Sequence, residues 1–330
     1  MKLINKSSRR ILTLKNFTPL RLCAFALIFS YFANAQTLAP GAPGKDAQWA
    51  TAGKQAVGTS AGLESKVWFT LAEGVMTEVY YPNVMTANIH LLQFVVVNPK
   101  TKKVETEQDD AIHEIKVLRP DSLTFQQTNT AKSGEWKITK TYTIDPEQDS
   151  ILISVNYSGL SENEIYVYYD PSLDNSGMHD TAWTLNKAFL ASDTDKSSAL
   201  VCAECSFGKM TNGFLGVSDG LAQLKNDGKI TNEFSKAENG NVVQLAQISG
   251  AFNAEFSRLR VQIFQLVLSF GETYQNALEN AQLSAKKGFQ KSQNEYEKGW
   301  SDYVKTLPKV DEKYQAQFNM AAMILKAHED

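Results

Sequence analysis

Cysteine and histidine are both scarce in this chain: three and four among 330 residues. The histidines, His90, His113, His179 and His328, show no ligand spacing to one another, so Cys202 and Cys205 find no two further partners for a zinc site. No glycine-rich phosphate loop, nucleophile elbow or His-Glu-x-x-His helix occurs. A basic surplus is missing too. The first 35 residues hold six basic groups and no acidic one. Removing those six from the chain's 33 leaves 27 against 36 acidic groups, a net of −9 on the remainder. Such a body has nothing with which to neutralise a phosphate backbone, which argues against nucleic acid as a partner.

Long apolar runs are also lacking. The longest near the N-terminus, Leu22 to Phe32, has eleven residues, about 16 Å as a helix against a hydrocarbon core of about 30 Å. It follows a basic stretch and precedes Ala33-Asn34-Ala35, the small-x-small pattern of a cleavage site. Residues 1–35 are therefore expected to be a secretory signal, cleaved after Ala35. The mature chain is expected to be periplasmic or secreted, with no membrane contact after cleavage. Arg9-Arg10 hints at a twin-arginine signal, but the residues after it fit poorly. Cys23 lacks the small residues that a lipoprotein site needs before it. In an exported chain, Cys202-x-x-Cys205 reads as a local disulfide or as two inert thiols.

What is present is β patterning. From about Lys66 to Phe270 the chain offers short strand-like runs. Ile151, Ile153, Val155 and Tyr157 alternate against Leu152, Ser154 and Asn156, and Glu135 to Ile144 alternates similarly. Between the runs lie Asn98-Pro99, Asp145-Pro146, Asp170-Pro171, Asp219-Gly220, Asn226-Asp227-Gly228 and Asn239-Gly240. These are turn signals. Strands without intervening helices imply a large antiparallel sandwich.

After Gly271 the period becomes helical. Tyr274, Leu278, Ala281 and Ala285 share a stripe, as do Tyr296, Trp300, Val304 and Leu307. Gly288 and Gly299 are expected to weaken this helix without breaking it, and Pro308 to end it. A further helix from Asp311 carries Tyr314, Phe318, Ala321 and Leu325 on one stripe, which either folds back on the sandwich or is left for a missing partner.

Chemistry is thin in the residues alone. Asp170 and Asp174 flank Pro171, where an Asx turn is the plain reading. Trp68, Tyr80, Tyr81 and Tyr169 are rings able to stack on sugars, although core packing explains most aromatics in a β domain.

In order along the chain, several segments together resemble the opening of bacterial glucoamylases and glucodextranases of glycoside hydrolase family 15. They are Ala39-Pro40-Gly41-Ala42-Pro43-Gly44, Trp49, Val57-Gly58-Thr59-Ser60, Val67-Trp68-Phe69-Thr70 and Glu78-Val79-Tyr80-Tyr81-Pro82. Leu92-Gln93-Phe94, Tyr169 to Gly177, Ser218-Asp219-Gly220, Gly240 to Gln244 and Gly299-Trp300 continue the series.

The resemblance implies a mainly β chain: a galactose-mutarotase-like β-supersandwich over 36–270, a linker helix over 271–309, and the first helix of a truncated (α/α)6 barrel over 310–330. It implies hydrolysis of terminal α-glucosidic bonds of starch-type glucan or dextran, with inversion. Two glutamates of the barrel serve that chemistry in the family, one protonating the leaving oxygen while the other activates water. Neither maps onto this sequence, so no catalytic residue is assigned and the missing catalytic domain becomes an expected partner.

The expected substrate-binding set is Trp68, Tyr80, Tyr81, Asp170 and His179, toward an α-glucan or oligosaccharide. No cofactor or metal is expected. Met85 and His179 depart from the family pattern, and both sit on loops facing the expected substrate side. A stand-alone carbohydrate-binding sandwich and a secreted scaffold remain as alternatives.

Overall fold

Alternating apolar residues need two faces to bury, and here they find them between two large sheets. A computed structural model describes residues 37–329. The expected signal segment lies outside the described residues.

In chain order the strands begin with β1 (Ala56–Gly58), β2 (Trp68–Ala72), β3 (Val75–Tyr80), β4 (Ile89–Asn98) and β5 (Lys103–Thr106). There follow β6 (Ala111–Val117), β7 (Phe125–Ala131), β8 (Trp136–Asp145), β9 (Ser150–Leu160) and β10 (Glu164–Pro171). Then come β11 (Asp180–Leu185), β12 (Ala188–Asp193), β13 (Lys196–Cys202) and β14 (Ser206–Phe214). The last are β15 (Lys236–Gly240), β16 (Val242–Ser249), β17 (Phe252–Phe256) and β18 (Leu259–Gly271).

One sheet has eight strands in the order β1-β2-β3-β4-β10-β16-β14, with β5 also paired to β4. The other has ten, β15-β11-β12-β13-β18-β9-β8-β7-β6, with β17 also paired to β18. The alternation in β9 shows how the core forms. Ile151, Ile153, Val155 and Tyr157 enter the layer between the sheets with Phe69, Phe94 and Tyr169. Leu152 points the other way. Inside the sandwich, Lys140 Nζ donates to Glu107 Oε2 at 2.7 Å and to the Gly74 carbonyl at 3.0 Å, so the buried charges are paired.

Helices do intervene among the strands, contrary to the expectation from sequence. α1 (Glu107–Asp110) is a single turn, and α2 (Gly220–Asp227) has two. Asp219 and Gly228, residues that read as turn markers, are the caps of α2. Asp219 accepts from the Leu221 amide, and Gly228 takes a left-handed φ of 70°.

The expected linker helix is two helices, α3 (Tyr274–Lys287) and α4 (Phe289–Thr306). Gly288 breaks it, because φ 83° and ψ 155° lie outside helical space in a region that glycine enters without a Cβ clash. α5 (Glu312–Lys326) follows. Met323 and Ala327, at its C-terminal end, are buried, and Trp68 Nε1 donates to the Ala327 carbonyl at 2.6 Å. The stripe named from the sequence is the other side: Tyr314 is 54% and Leu325 76% exposed. The helix thus folds back on the sandwich while leaving an apolar stripe open.

The chain preceding β1 runs as a strap across strand ends. Ala39 N donates to the Lys236 carbonyl at 2.8 Å, Ser235 N to the Thr37 carbonyl at 2.9 Å, and Asn241 N to the Pro43 carbonyl at 2.7 Å.

Candidate functional site

Two adjacent β-bulges on the eight-stranded sheet gather a polar cluster on its outer face. Where β2 meets β3, Trp68 pairs Tyr80 but Thr70 pairs Thr77, so β3 carries one extra residue. Where β10 meets β4, Asp170 pairs Leu91 but Pro171 pairs Ile89, which leaves His90 as the unpaired residue. A bulge re-aims side chains relative to strict alternation. The consecutive Thr77 and Glu78 consequently both reach Lys54: Nζ lies 2.7 Å from Glu78 Oε2 and 3.2 Å from Thr77 Oγ1. Glu78 holds a positive φ of 26°, an uncommon backbone state for a residue with a Cβ.

Glu78 is the hub. Its Oε2 also accepts from the Tyr80 hydroxyl at 3.1 Å, and its Oε1 from the Ala50 amide at 3.2 Å. Burial and the Glu78 carboxylate push the Tyr80 phenol up to about 12. Beside the hub, His90 Nδ1 lies 2.9 Å from Asp170 Oδ2. The Asp170 carboxylate is buried, whereas the imidazole is 26% exposed. That hydrogen bond raises the His90 pKa above its ordinary value, with a smaller contribution from Glu78. An oriented, quarter-exposed imidazole can donate or accept a hydrogen bond or shuttle a proton.

The expected site residues divide. Tyr80 and Asp170 fall in this cluster. Asp170 is therefore an orienting partner for His90, which replaces the expected Asx turn as its role. Tyr81, the next residue along, points inward. It is buried and stacks on Phe270 with ring centroids 5.8 Å apart. Trp68 is buried beneath the end of α5 and lines a cavity of about 300 Å³ with Thr59, Ser60, Ser65, Pro82 and Lys326. His179 is exposed on the loop after β10. That loop approaches the segment before β1, since the Ala47 amide donates to Met178 Sδ at 3.2 Å.

Sequence reasoning missed Lys54, Glu78 and His90 as a group. Trp49 belongs to the resemblance but not to the expected site residues, yet it is 64% exposed and one peptide from the Ala50–Glu78 bond. Its isolation between polar and small residues was the available signal.

Cys202 and Cys205 are joined as a disulfide at the β13–β14 turn. Among the described residues, one trio of carboxylates, Asp145, Glu147 and Glu295, is close enough to hold a cation. The Lys287 ammonium already occupies it, at 2.7, 3.1 and 2.5 Å from the three.

Comparison with known proteins places this architecture. The family described as glucodextranase, domain N, matches residues 39–305. A glucoamylase of Clostridium sp. (strain G0005) is 28% identical over 295 residues, covering 87% of this chain and 41% of that protein. The solved structure of a bacterial glucoamylase complexed with acarbose superposes with a TM-score of 0.81 at 29% identity. That match covers 89% of this chain and 43% of the other. The chain therefore spans about two-fifths of the length of these relatives.

Proposed function

The chain belongs to the glucodextranase N-domain family, and from that premise we propose that it is the N-terminal portion of an exported, exo-acting glucoamylase-type hydrolase. The substrate class is an α-glucan or oligosaccharide, and the reaction is inverting hydrolysis at terminal glucosidic bonds. The observation that carries the reading is the 0.81 superposition on a bacterial glucoamylase that was itself complexed with acarbose. Inversion needs two carboxyl groups about 6.5–9.5 Å apart, one acid and one base, flanking the scissile bond with room for water. In this proposal both come from a helical catalytic domain.

The residues of this chain supply the mounting. α3 lies on the ten-stranded sheet through Ala277 and Ala281. α4 anchors at Trp300, whose Nε1 donates to the Thr59 carbonyl at 2.9 Å. α5 presents Tyr314 and Leu325 outward as a seat for further helices. Export rests on the basic leader, the eleven-residue apolar run and Ala33-Asn34-Ala35.

The test is an activity comparison. The 330-residue chain should release no glucose from maltooligosaccharides or isomaltooligosaccharides. A longer form carrying the helical domain should release it initially as the β anomer, followed by NMR. Enzyme-like glucose release by the 330-residue chain, or α-anomer release by the longer form, would defeat the reading. Intact mass of the exported protein checks cleavage after Ala35.

A further inference from the structure

We infer that the double-bulge cluster on the eight-stranded sheet, with Trp49 as its platform, Lys54 as its donor and His90 Nε2 as its second polar contact, binds one glucosyl unit of an α-glucan. The inference rests on the glucan-hydrolase reading above and gives it a location on this chain.

Three groups have capacity to spare. His90 uses Nδ1 on Asp170, which leaves Nε2 at a quarter-exposed ring. Lys54 has three donors, of which Glu78 and Thr77 take two. Trp49 is 64% exposed, whereas Trp68, Trp136 and Trp300 are all buried. Glu78, by contrast, already accepts from Lys54, Tyr80 and Ala50, so it chiefly fixes the groups around it. The two bulges and the positive φ at Glu78 fix Glu78 and His90 on the sheet, and the bonds from Lys54 and the Ala50 amide to Glu78 tie down the segment before β1 that carries Lys54 and Trp49.

The charge balance selects the ligand. Lys54 is matched by Glu78 and any charge on His90 by Asp170, and Asp219 also acts on Asp170. No positive surplus remains to hold a phosphate or carboxylate. A neutral ligand with an apolar face and a rim of hydroxyls fits what is left. A pyranose lays its C–H face on the indole and offers hydroxyls to imidazole and ammonium.

Isothermal titration of the 330-residue chain with maltotriose, and separately with inorganic phosphate, tests this. Saturable maltotriose binding is expected, at least tenfold weaker in Trp49→Ala and in His90→Gln, and unchanged in Trp183→Phe, whose ring meets Tyr274 edge to face beside the other sheet. Circular dichroism checks that each variant is folded, and the exposure of Trp49 makes its truncation benign to the core. Binding of phosphate in place of sugar, absence of saturable sugar binding, or wild-type affinity in either site variant would each overturn the inference. So would protection of Trp49 only when the helical domain is attached, which would mark the patch as a domain contact. Glucose release by the longer form without Trp49-dependent binding defeats this inference alone. Trp49-dependent binding with no glucose release supports the site and defeats the enzymatic reading.

Discussion

The ten-stranded sheet turns Leu152, Leu190, Ala199 and Val267 outward beneath α3, where Ala277, Ala281 and Phe289 close a dry layer over them. The eight-stranded sheet turns Leu91, Val95, Tyr166 and Val243 outward beneath the much shorter α2. Elsewhere its outer face carries Glu78, His90 and Asp170 instead, with Lys54 laid over them from the segment before β1. The same antiparallel scaffold is thus finished for stability on one side and left chemically addressable on the other. What differs is local. A fourteen-residue helix with small residues at its contact face can lie flat along several strands. Bulges, by contrast, interrupt alternation and bring polar side chains to the surface together.

The contrast is open to measurement. Phe289→Ala, at the buried junction of α3 and α4, should lower stability by about 3–5 kcal/mol, seen as a lower urea midpoint at unchanged slope. Leu224→Ala in α2 should cost about 2 kcal/mol, because a two-turn helix flanked by loops can settle into the space. Equal losses at the two positions would break the comparison.

A third test concerns pH. The folded-state pKa of His90 is raised above the ordinary value of about 6.5 through its hydrogen bond to Asp170. Its contribution is therefore full below that value and is lost as pH rises through the folded pKa. Urea midpoints of wild type and His90→Gln should differ most in mildly acidic buffer and converge as pH rises through the folded-state pKa. A pH-independent gap would mean that His90 acts by packing alone. The smallest effect belongs to the exposed stripe of α5. Tyr314→Ser with Leu325→Ser should leave stability within about 0.5 kcal/mol per site while reducing light scattering on concentration. Unchanged scattering would show that the stripe is not adhesive.

Much of the sandwich was legible because β9 and its neighbours alternate cleanly and turn dipeptides separate them. The caps of α2 were misread for a physical reason: eight residues give too few repeats for a 3.6 period to declare itself, so Asp219 and Gly228 looked like turns. Gly288 was read as a weak point by helix propensity. The break there is set by the tertiary placement of Phe289 in the layer over the ten-stranded sheet. The site was harder still. Eighty residues separate His90 from Asp170, and only the register of β4 on β10 brings them together. Tyr80 and Tyr81 were grouped as candidate rings, yet adjacent strand positions face opposite ways, and Tyr81 went to the core.

The strap from Thr37 to Lys45 has a consequence for the order of events in folding. Its partners, Leu215, Ser235, Lys236 and Asn241, lie about two hundred residues downstream, so it closes a long loop and is laid down late, on finished strands. Contacts made after the rate-limiting barrier govern how long the native state lasts, not how fast it is reached. The strap then behaves as a latch. Removing the Thr37 hydroxyl, which donates to the Glu233 carbonyl at 2.9 Å, should hasten unfolding in stopped-flow experiments and leave refolding unaltered. A matching slowdown in refolding would put the strap in the nucleus instead.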